Sequence, residues 1–180
     1  MGVAATGPGA RGALTARHSR VQDRARRVRL LCVDVDGVLT DAGMYYGPDG
    51  EVLKKFNTRD GMGLARVRDL GVAVAIISGE DSAIVHARAA KLRIDDVFCN
   101  AADKRAVIDE LRAKHCLELA QVAFIGDDLN DLAALECVGL ACAVADAAEA
   151  VQAVAHYVTR RRGGDGAVRE VCELLIAAHG

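Results

Sequence analysis

Two aspartates one residue apart, Asp34 and Asp36, close the apolar run Leu30-Leu31-Cys32-Val33, with Gly37 and Thr40 just behind them. Carboxylates this close repel each other unless a proton or a cation lies between them. A hard divalent cation, which prefers oxygen ligands, is the natural partner. Acids at a strand end also cap the helix that follows, so the pair alone leaves both readings open. Three further groups widen the chemistry. Ser78-Gly79 ends a second apolar run, Val72 to Ile77, and a single lysine, Lys104, precedes the helical pattern Arg105 to Lys114. A third apolar run, Val122-Ala123-Phe124-Ile125, ends in Gly126-Asp127-Asp128-Leu129-Asn130-Asp131. An acid pair, a hydroxyl, an ammonium and an acidic cluster, each at an element end, supply what phosphoryl transfer needs. The needs are a nucleophile, cationic and hydroxyl donors for the phosphoryl oxygens, and a place for a metal ion.

The elements that must position these groups read as an alternation of strands and helices from residue 29 onward, which defines an α/β fold. Apolar runs rich in Val and Leu are the buried strands of a parallel sheet, whose ligands gather at the carboxyl ends. Between the first two runs, Met44 to Phe56 contains two β-prone stretches around Gly47-Pro48-Asp49-Gly50, a hairpin signal. Asp60 is expected to cap a helix carrying Leu64, Val67 and Leu70 and ending at Gly71. Asp81 or Ser82 would cap a helix over 83–92, and a short strand follows at 96–98. A short helix is expected at 131–137, strands at 139–144 and 156–159, and a final helix at 167–178 after Gly163-Gly164.

The chain has 180 residues, enough for one domain with a proper core. Residues 1–28 form an Arg-, Ala- and Gly-rich head expected to be disordered, and 29–180 form the domain. The head lacks the continuous apolar core of a secretory signal, although its Arg-rich, acid-poor character also fits a transit peptide. The first 29 residues hold seven Arg and one Asp, leaving 16 basic and 24 acidic residues and a net charge of -8 for the rest. Such an acidic body argues against nucleic acid as a partner. No run approaches membrane-spanning length. The cysteines, at 32, 99, 116, 137, 142 and 172, form no CxxC pair and read as reduced thiols of a cytoplasmic protein.

Taken in order, the motifs resemble those of the haloacid dehalogenase-like phosphohydrolases: DxDx(T/V), a Ser or Thr after a strand, a Lys, and a GDxxxD-type loop. The resemblance implies a three-layer, Rossmann-like parallel sheet. It implies Asp34 as the nucleophile that forms an aspartyl-phosphate, and Asp36 as the group that protonates the leaving oxygen and then activates water. Ser78, Gly79 and Lys104 would bind the phosphoryl group. Asp34, the backbone carbonyl of Asp36, and Asp127 would hold Mg²⁺, with Asp128 and Asp131 orienting its waters or Lys104. Large relatives insert a cap domain after the first or second motif. Only the hairpin stands there in this chain, so it reads as capless, with a neighbouring subunit left to cover the site.

The likeness extends further, through Val35 to Asp41, Phe56-Asn57-Thr58-Arg59-Asp60-Gly61, the acidic loop, and the tail Tyr157-Val158-Thr159 with Gly163 to Glu170. These segments resemble the tetrameric capless phosphatases of 2-keto-3-deoxy sugar acid phosphates, which act on octulosonate 8-phosphates or nonulosonate 9-phosphates. Octulosonate enzymes usually carry Thr-Gly-Arg where this chain has Ser78-Gly79-Glu80, and tend to have Arg where Asp165 stands. Glu80 with Lys91 resembles the nonulosonate type, so that substrate is expected here, with Thr58, Glu80 and Lys91 contacting it. An ordinary C-terminal helix lysine, favoured by the helix dipole, accounts for Lys91 about equally well. Two other classes remain in view. A phosphorelay receiver uses a similar residue set in a different order, and a non-catalytic assembly domain occurs in sugar acid cytidylyltransferase fusions. Exposed Met44, Tyr45, Tyr46, Val52, Leu53 and Phe56 on the hairpin are expected to join copies into a homotetramer.

Overall fold

The structure, a computed structural model, describes residues 19–180. Strand β1 (Leu30–Val33) leads into a hairpin of β2 (Tyr45–Gly47) and β3 (Gly50–Leu53). Then come β4 (Ala73–Ile77), β5 (Asp96–Phe98), β6 (Val122–Gly126), β7 (Leu140–Ala143) and β8 (Tyr157–Val158). Apart from the hairpin, these strands form one six-stranded sheet in the order β5-β4-β1-β6-β7-β8, parallel throughout. Strands β1, β6 and β7 are buried along their whole length, as continuous apolar runs require when both sheet faces are covered. The covering helices are α1 (19–25), α2 (Thr58–Asp69), α3 (Ala83–Leu92), α4 (Lys104–Lys114), α5 (Leu132–Cys137), α6 (Glu149–Val154) and α7 (Ala167–His179). Helix α2 packs on α3 and α7, while α5 packs on α4 and α6. Right-handed crossovers place these two groups on opposite faces, since the chain reverses direction across the sheet after β5.

That reversal positions the chemistry. From β1 the chain steps to β4 and β5, then returns to β6 on the other side of β1. A crevice opens at the carboxyl end of such a switch point. Val33 pairs with Ile76 on one side and Ile125 on the other, so Asp34, Ser78 and Asp127 emerge side by side just past three adjacent strand ends. Three motifs spread over about ninety residues of sequence thus meet for a reason of register.

Several local expectations are corrected. The cap of α2 is Asn57, whose side chain accepts the Arg59 N–H at 2.9 Å. Asp60 lies inside the helix, fully buried, and accepts the Arg169 N–H at 2.7 Å, tying α2 to the first turn of α7. Burial pushes its carboxyl up to about 6. Leu70, the third member of the expected stripe, is exposed. Ser82 occupies the cap position of α3 but turns its hydroxyl to Glu51, at 2.9 Å. Helix α6 was not anticipated, because six residues carry too little periodicity. The boundary at residue 28 also moves. Residues 19–25 are helical, and Val21, Ala25 and Val28 are buried in the core, while the earlier part of the head lies outside the described residues. Between β1 and α2 only the hairpin intervenes, and between β4 and α4 only α3 and β5, so neither of these insertion points carries a cap domain. No helix among the described residues is long and apolar enough to cross a membrane.

Candidate active site

Asp34 follows β1 directly, its N–H held by the Ile125 carbonyl at 3.1 Å. Lys104 opens α4, which Asp103 caps by accepting the Ala106 N–H. From there its Nζ reaches Asp34 Oδ1 at 2.7 Å and Asp131 Oδ1 at 2.6 Å, all three groups being buried. The other Asp131 oxygen accepts the N–H groups of Asp127 at 2.9 Å and Asp128 at 3.4 Å. Both Asp131 oxygens are therefore engaged. This residue fixes the acidic loop and the lysine, while Asp34 and Asp127 face the crevice.

The electrostatics leave this pair short of positive charge. Burial, and then the Asp131 carboxylate, hold the Asp34 carboxyl well above its ordinary range, against the pull of Lys104. Burial and Asp131 likewise raise Asp127 to about 7, and its carboxyl is within hydrogen-bonding reach of Asp34. Burial draws the Lys104 ammonium down, but Asp34 and Asp131 more than offset this and leave its pKa raised. One buried ammonium thus faces three carboxylates, an excess of negative charge that a dication would offset. One oxygen from each of Asp34, Asp127 and Asp131 falls within 4.8 Å of the others, a spread suited to a hard cation.

The backbone around the pair is moulded to it. Gly37 has φ +86°, and a Cβ there would lie 1.9 Å from Asp127 Oδ2, so any side chain would push the acidic loop away. Thr40 is buried, and its hydroxyl accepts the Gly37 N–H at 3.3 Å and donates to the Val35 carbonyl at 3.3 Å. Behind this turn sits the glycine pair before α7. A Cβ on Gly163 would lie 1.7 Å from the Gly37 carbonyl oxygen, and the Gly164 N–H donates to Val38 at 3.0 Å. The C-terminal loop therefore braces the loop that carries Asp34 and Asp36.

A cleft of about 400 Å³ opens over these groups, lined by Asp34, Asp36, Ala42, Gly79, Glu80, Asp127, Asp128, Leu129 and Asn130. Ser78 is buried next to the lining residue Gly79 without itself lining the cleft, and its Oγ accepts the Glu80 N–H at 3.1 Å. Asp128 caps the following 3-10 turn through the Leu129 N–H at 2.7 Å. Of the expected substrate contacts, Glu80 lines the cleft. Thr58, in the first turn of α2, and Lys91, in the last turn of α3, are exposed and lie outside the lining. Lys91 lies eight residues beyond Ala83 at the cleft-side end of α3, roughly 12 Å of rise. Two residues were missed by sequence reasoning. Lys54, just after β3, reaches Asp36 Oδ1 at 2.6 Å and Glu51 Oε1 at 2.7 Å. No sequence signal separates this lysine from its solvated neighbour Lys55.

Comparison with known proteins agrees with this geometry. A family profile described as haloacid dehalogenase-like hydrolase matches residues 82–171. The 3-deoxy-D-manno-octulosonate 8-phosphate phosphatase of Escherichia coli strain B is 44% identical over 160 residues, 89% of this chain and 85% of that protein. The crystal structure of the Yersinia pestis enzyme of the same name superposes with a TM-score of 0.87 at 45% identity, covering 89% of this chain and 86% of that one. The Moraxella catarrhalis enzyme, solved with magnesium, phosphate and KDO, gives a TM-score of 0.86 at 39% identity, covering 89% and 92%. A phosphorelay receiver is thereby set aside. With so much of its length shared, the chain belongs to the 3-deoxy-D-manno-octulosonate 8-phosphate phosphatase family of the haloacid dehalogenase-like hydrolases, and it is a phosphatase.

Proposed function

We propose that the protein hydrolyses the 8-phosphate of 3-deoxy-D-manno-octulosonate with Mg²⁺ as cofactor, through an aspartyl-phosphate on Asp34. The observation that carries this reading is the buried Asp34–Lys104–Asp131 group with Asp127 beside it at the mouth of the cleft. Asp34 attacks phosphorus in line, and Asp36 donates a proton to the departing sugar oxygen. Asp36 then takes a proton from the water that attacks the phosphorus, releasing Asp34. Ser78 and Lys104 bind the phosphoryl oxygens, with the Gly79 N–H at their side. Asp34, Asp127 and the Asp36 carbonyl would hold Mg²⁺, which when bound offsets the negative charge shared by nucleophile and phosphate. Asp131 orients the lysine, and Asp128 and Asp131 would orient waters on the ion. The unpaired thiols fit a cytoplasmic enzyme.

Metal binding should expel a proton. Asp127 has a pKa raised to about 7 in the metal-free protein and must be ionised to bind, so affinity rises with pH and levels off above that value. Calorimetric Mg²⁺ titration should therefore give affinity at least roughly tenfold weaker at pH 6 than at pH 8, with proton release at the lower pH. Equal affinities without proton release would remove Asp127 from the metal set.

Two sugar acids compete as substrate. The eight-carbon acid is supported by the relatives' names and identities. The nine-carbon 9-phosphate is supported by Glu80, which lines the cleft where octulosonate enzymes usually carry Arg, with hydrogen bonds to sugar hydroxyls as its role. Lys91 contributes to neither reading within one subunit, and Thr58 would meet substrate only from outside the cleft lining. Phosphate release from the two esters, compared as kcat/KM, decides. A higher value for the octulosonate ester is expected, and a clear preference for the nonulosonate ester would reverse the assignment.

The assembly is a homotetramer built on the hairpin. Met44, Tyr45, Tyr46, Val52 and Leu53 are each about half exposed or more, with Tyr46 at 65%. Such an apolar two-stranded ribbon is only marginally stable in water by itself. Phe56 does not belong to this surface, since it is half-buried with the Arg88 guanidinium 5.6 Å from its ring centre. Tyr46→Glu combined with Val52→Lys should split the assembly in light scattering. Turnover of the sugar acid phosphate should then fall far more than turnover of an aryl phosphate. A monomeric mass for fully active native protein would contradict the assembly.

A further inference from the structure

The side chain of Lys54 is buried at a place where its neighbours are exposed. Val52 and Leu53 are 53% and 61% exposed, whereas the Lys54 side chain is 1% exposed. Its ammonium sits between Asp36 Oδ1 at 2.6 Å and Glu51 Oε1 at 2.7 Å. The second Glu51 oxygen accepts the Ser82 hydroxyl at 2.9 Å, which anchors the arm to the start of α3. A hairpin arm thus bridges the loop after β1 to the loop after β4 and ends on the carboxylate of Asp36. That carboxylate is partly open to the cleft, and no other side chain is bonded to it among the described residues.

Resting on the acid–base role of Asp36 in the reading above, we infer that Lys54 is the positioning residue for that carboxylate. By holding Oδ1, it turns the free Oδ2 toward the leaving oxygen in the first step and toward water in the second. A charge-assisted hydrogen bond of this length restrains a side chain that two soft torsions would otherwise leave free. Glu51 and Ser82 keep the ammonium in place. The hairpin, besides its apolar outer face, thereby sets the geometry of the reaction.

The test compares Lys54→Met, Lys54→Arg, Glu51→Gln and Asp36→Asn with the wild type in saturating Mg²⁺. Two substrates are used, p-nitrophenyl phosphate and the sugar acid phosphate. Nitrophenolate departs without a proton, so phosphoryl transfer to Asp34 needs no acid, but hydrolysis of the aspartyl-phosphate needs Asp36 as base. Lys54→Met should therefore release a rapid burst approaching one nitrophenolate per active site, followed by a steady rate lower by roughly 10²- to 10³-fold. The sugar acid phosphate, whose alkoxide must be protonated, should show the loss with no burst. Lys54→Arg should restore part of the steady rate, and Glu51→Gln should show a smaller burst of the same kind. A proportional loss on both substrates without a burst, in Lys54→Met or, if that variant does not fold, in Glu51→Gln, would reduce the arm to a structural tie and overturn the inference. Wild-type rates in Lys54→Met would overturn it as well. If Asp36→Asn is itself fully active, the acid–base reading falls and takes the inference with it. If Asp36→Asn fails while Lys54→Met does not, only the inference falls.

Discussion

Asp34→Asn should abolish phosphatase turnover while the protein remains folded. The amide has the shape of the carboxylate but cannot attack phosphorus, and a lost nucleophile costs at least about a thousandfold in rate. Stability should not fall, because the carboxyl it replaces is held well above its ordinary range by burial and by Asp131. Removing that charge relieves repulsion with Asp127 and Asp131 and leaves Lys104 its partner in Asp131. Melting temperature and steady-state rate, measured on one preparation, check both halves. Substantial turnover in the variant would exclude Asp34 as the nucleophile.

Lys104→Met should be the most damaging single change to stability in the site. It takes the only ammonium bonded to Asp34 and Asp131 among the described residues from a buried cluster. Breaking a buried ion pair from one side costs about 3–5 kcal/mol, since the remaining charges have neither water nor counterion. The pH dependence has a definite sign. Without the ammonium, the folded-state pKa of Asp34, already raised by burial, rises further above its unfolded value, so its protonated form is favoured in the folded state. The deficit is therefore smallest in acid and grows as pH rises through the raised folded value. Added Mg²⁺ should recover part of the stability, while activity stays more than about a hundredfold down for want of a phosphoryl ligand. Urea unfolding across pH, with and without Mg²⁺, measures this. A loss under about 1 kcal/mol at neutral pH would show that the cluster does not depend on its lysine.

The motif residues were legible from sequence because parallel α/β topology turns strand ends into one place. Once Val33, Ile77 and Ile125 are read as the last apolar residues of neighbouring strands, Asp34, Ser78 and Asp127 must lie together. Lys104 could be placed because a helix start after an edge strand faces the same crevice. What stayed hidden was set by contacts between distant segments. Asp60 resembles a helix cap, but its role depends on α7 arriving beside α2, more than a hundred residues later. Gly163-Gly164 reads as a turn, and only packing shows that the Gly37 carbonyl leaves no room for a side chain there. Lys54 and Lys55 look alike in sequence, yet one is buried against Asp36 and the other pairs with Asp41 at the surface. Lys91 was singled out by its spacing from Glu80, and in the single chain it sits in the last turn of α3, outside the cleft lining. In the head, Val21, Ala25 and Val28 are too sparse among arginines to announce a helix, although all three are buried.

The central claim is that hydrolysis proceeds in two in-line displacements, first by Asp34 and then by water. The stereochemistry at phosphorus tests it directly. A sugar acid phosphorothioate made chiral with ¹⁸O is hydrolysed by the Mg²⁺-loaded enzyme in H₂¹⁷O, and the configuration of the inorganic thiophosphate is read. Two displacements invert twice, so net retention is the predicted result. Net inversion would mean that water attacks the substrate in a single step and would contradict the aspartyl-phosphate.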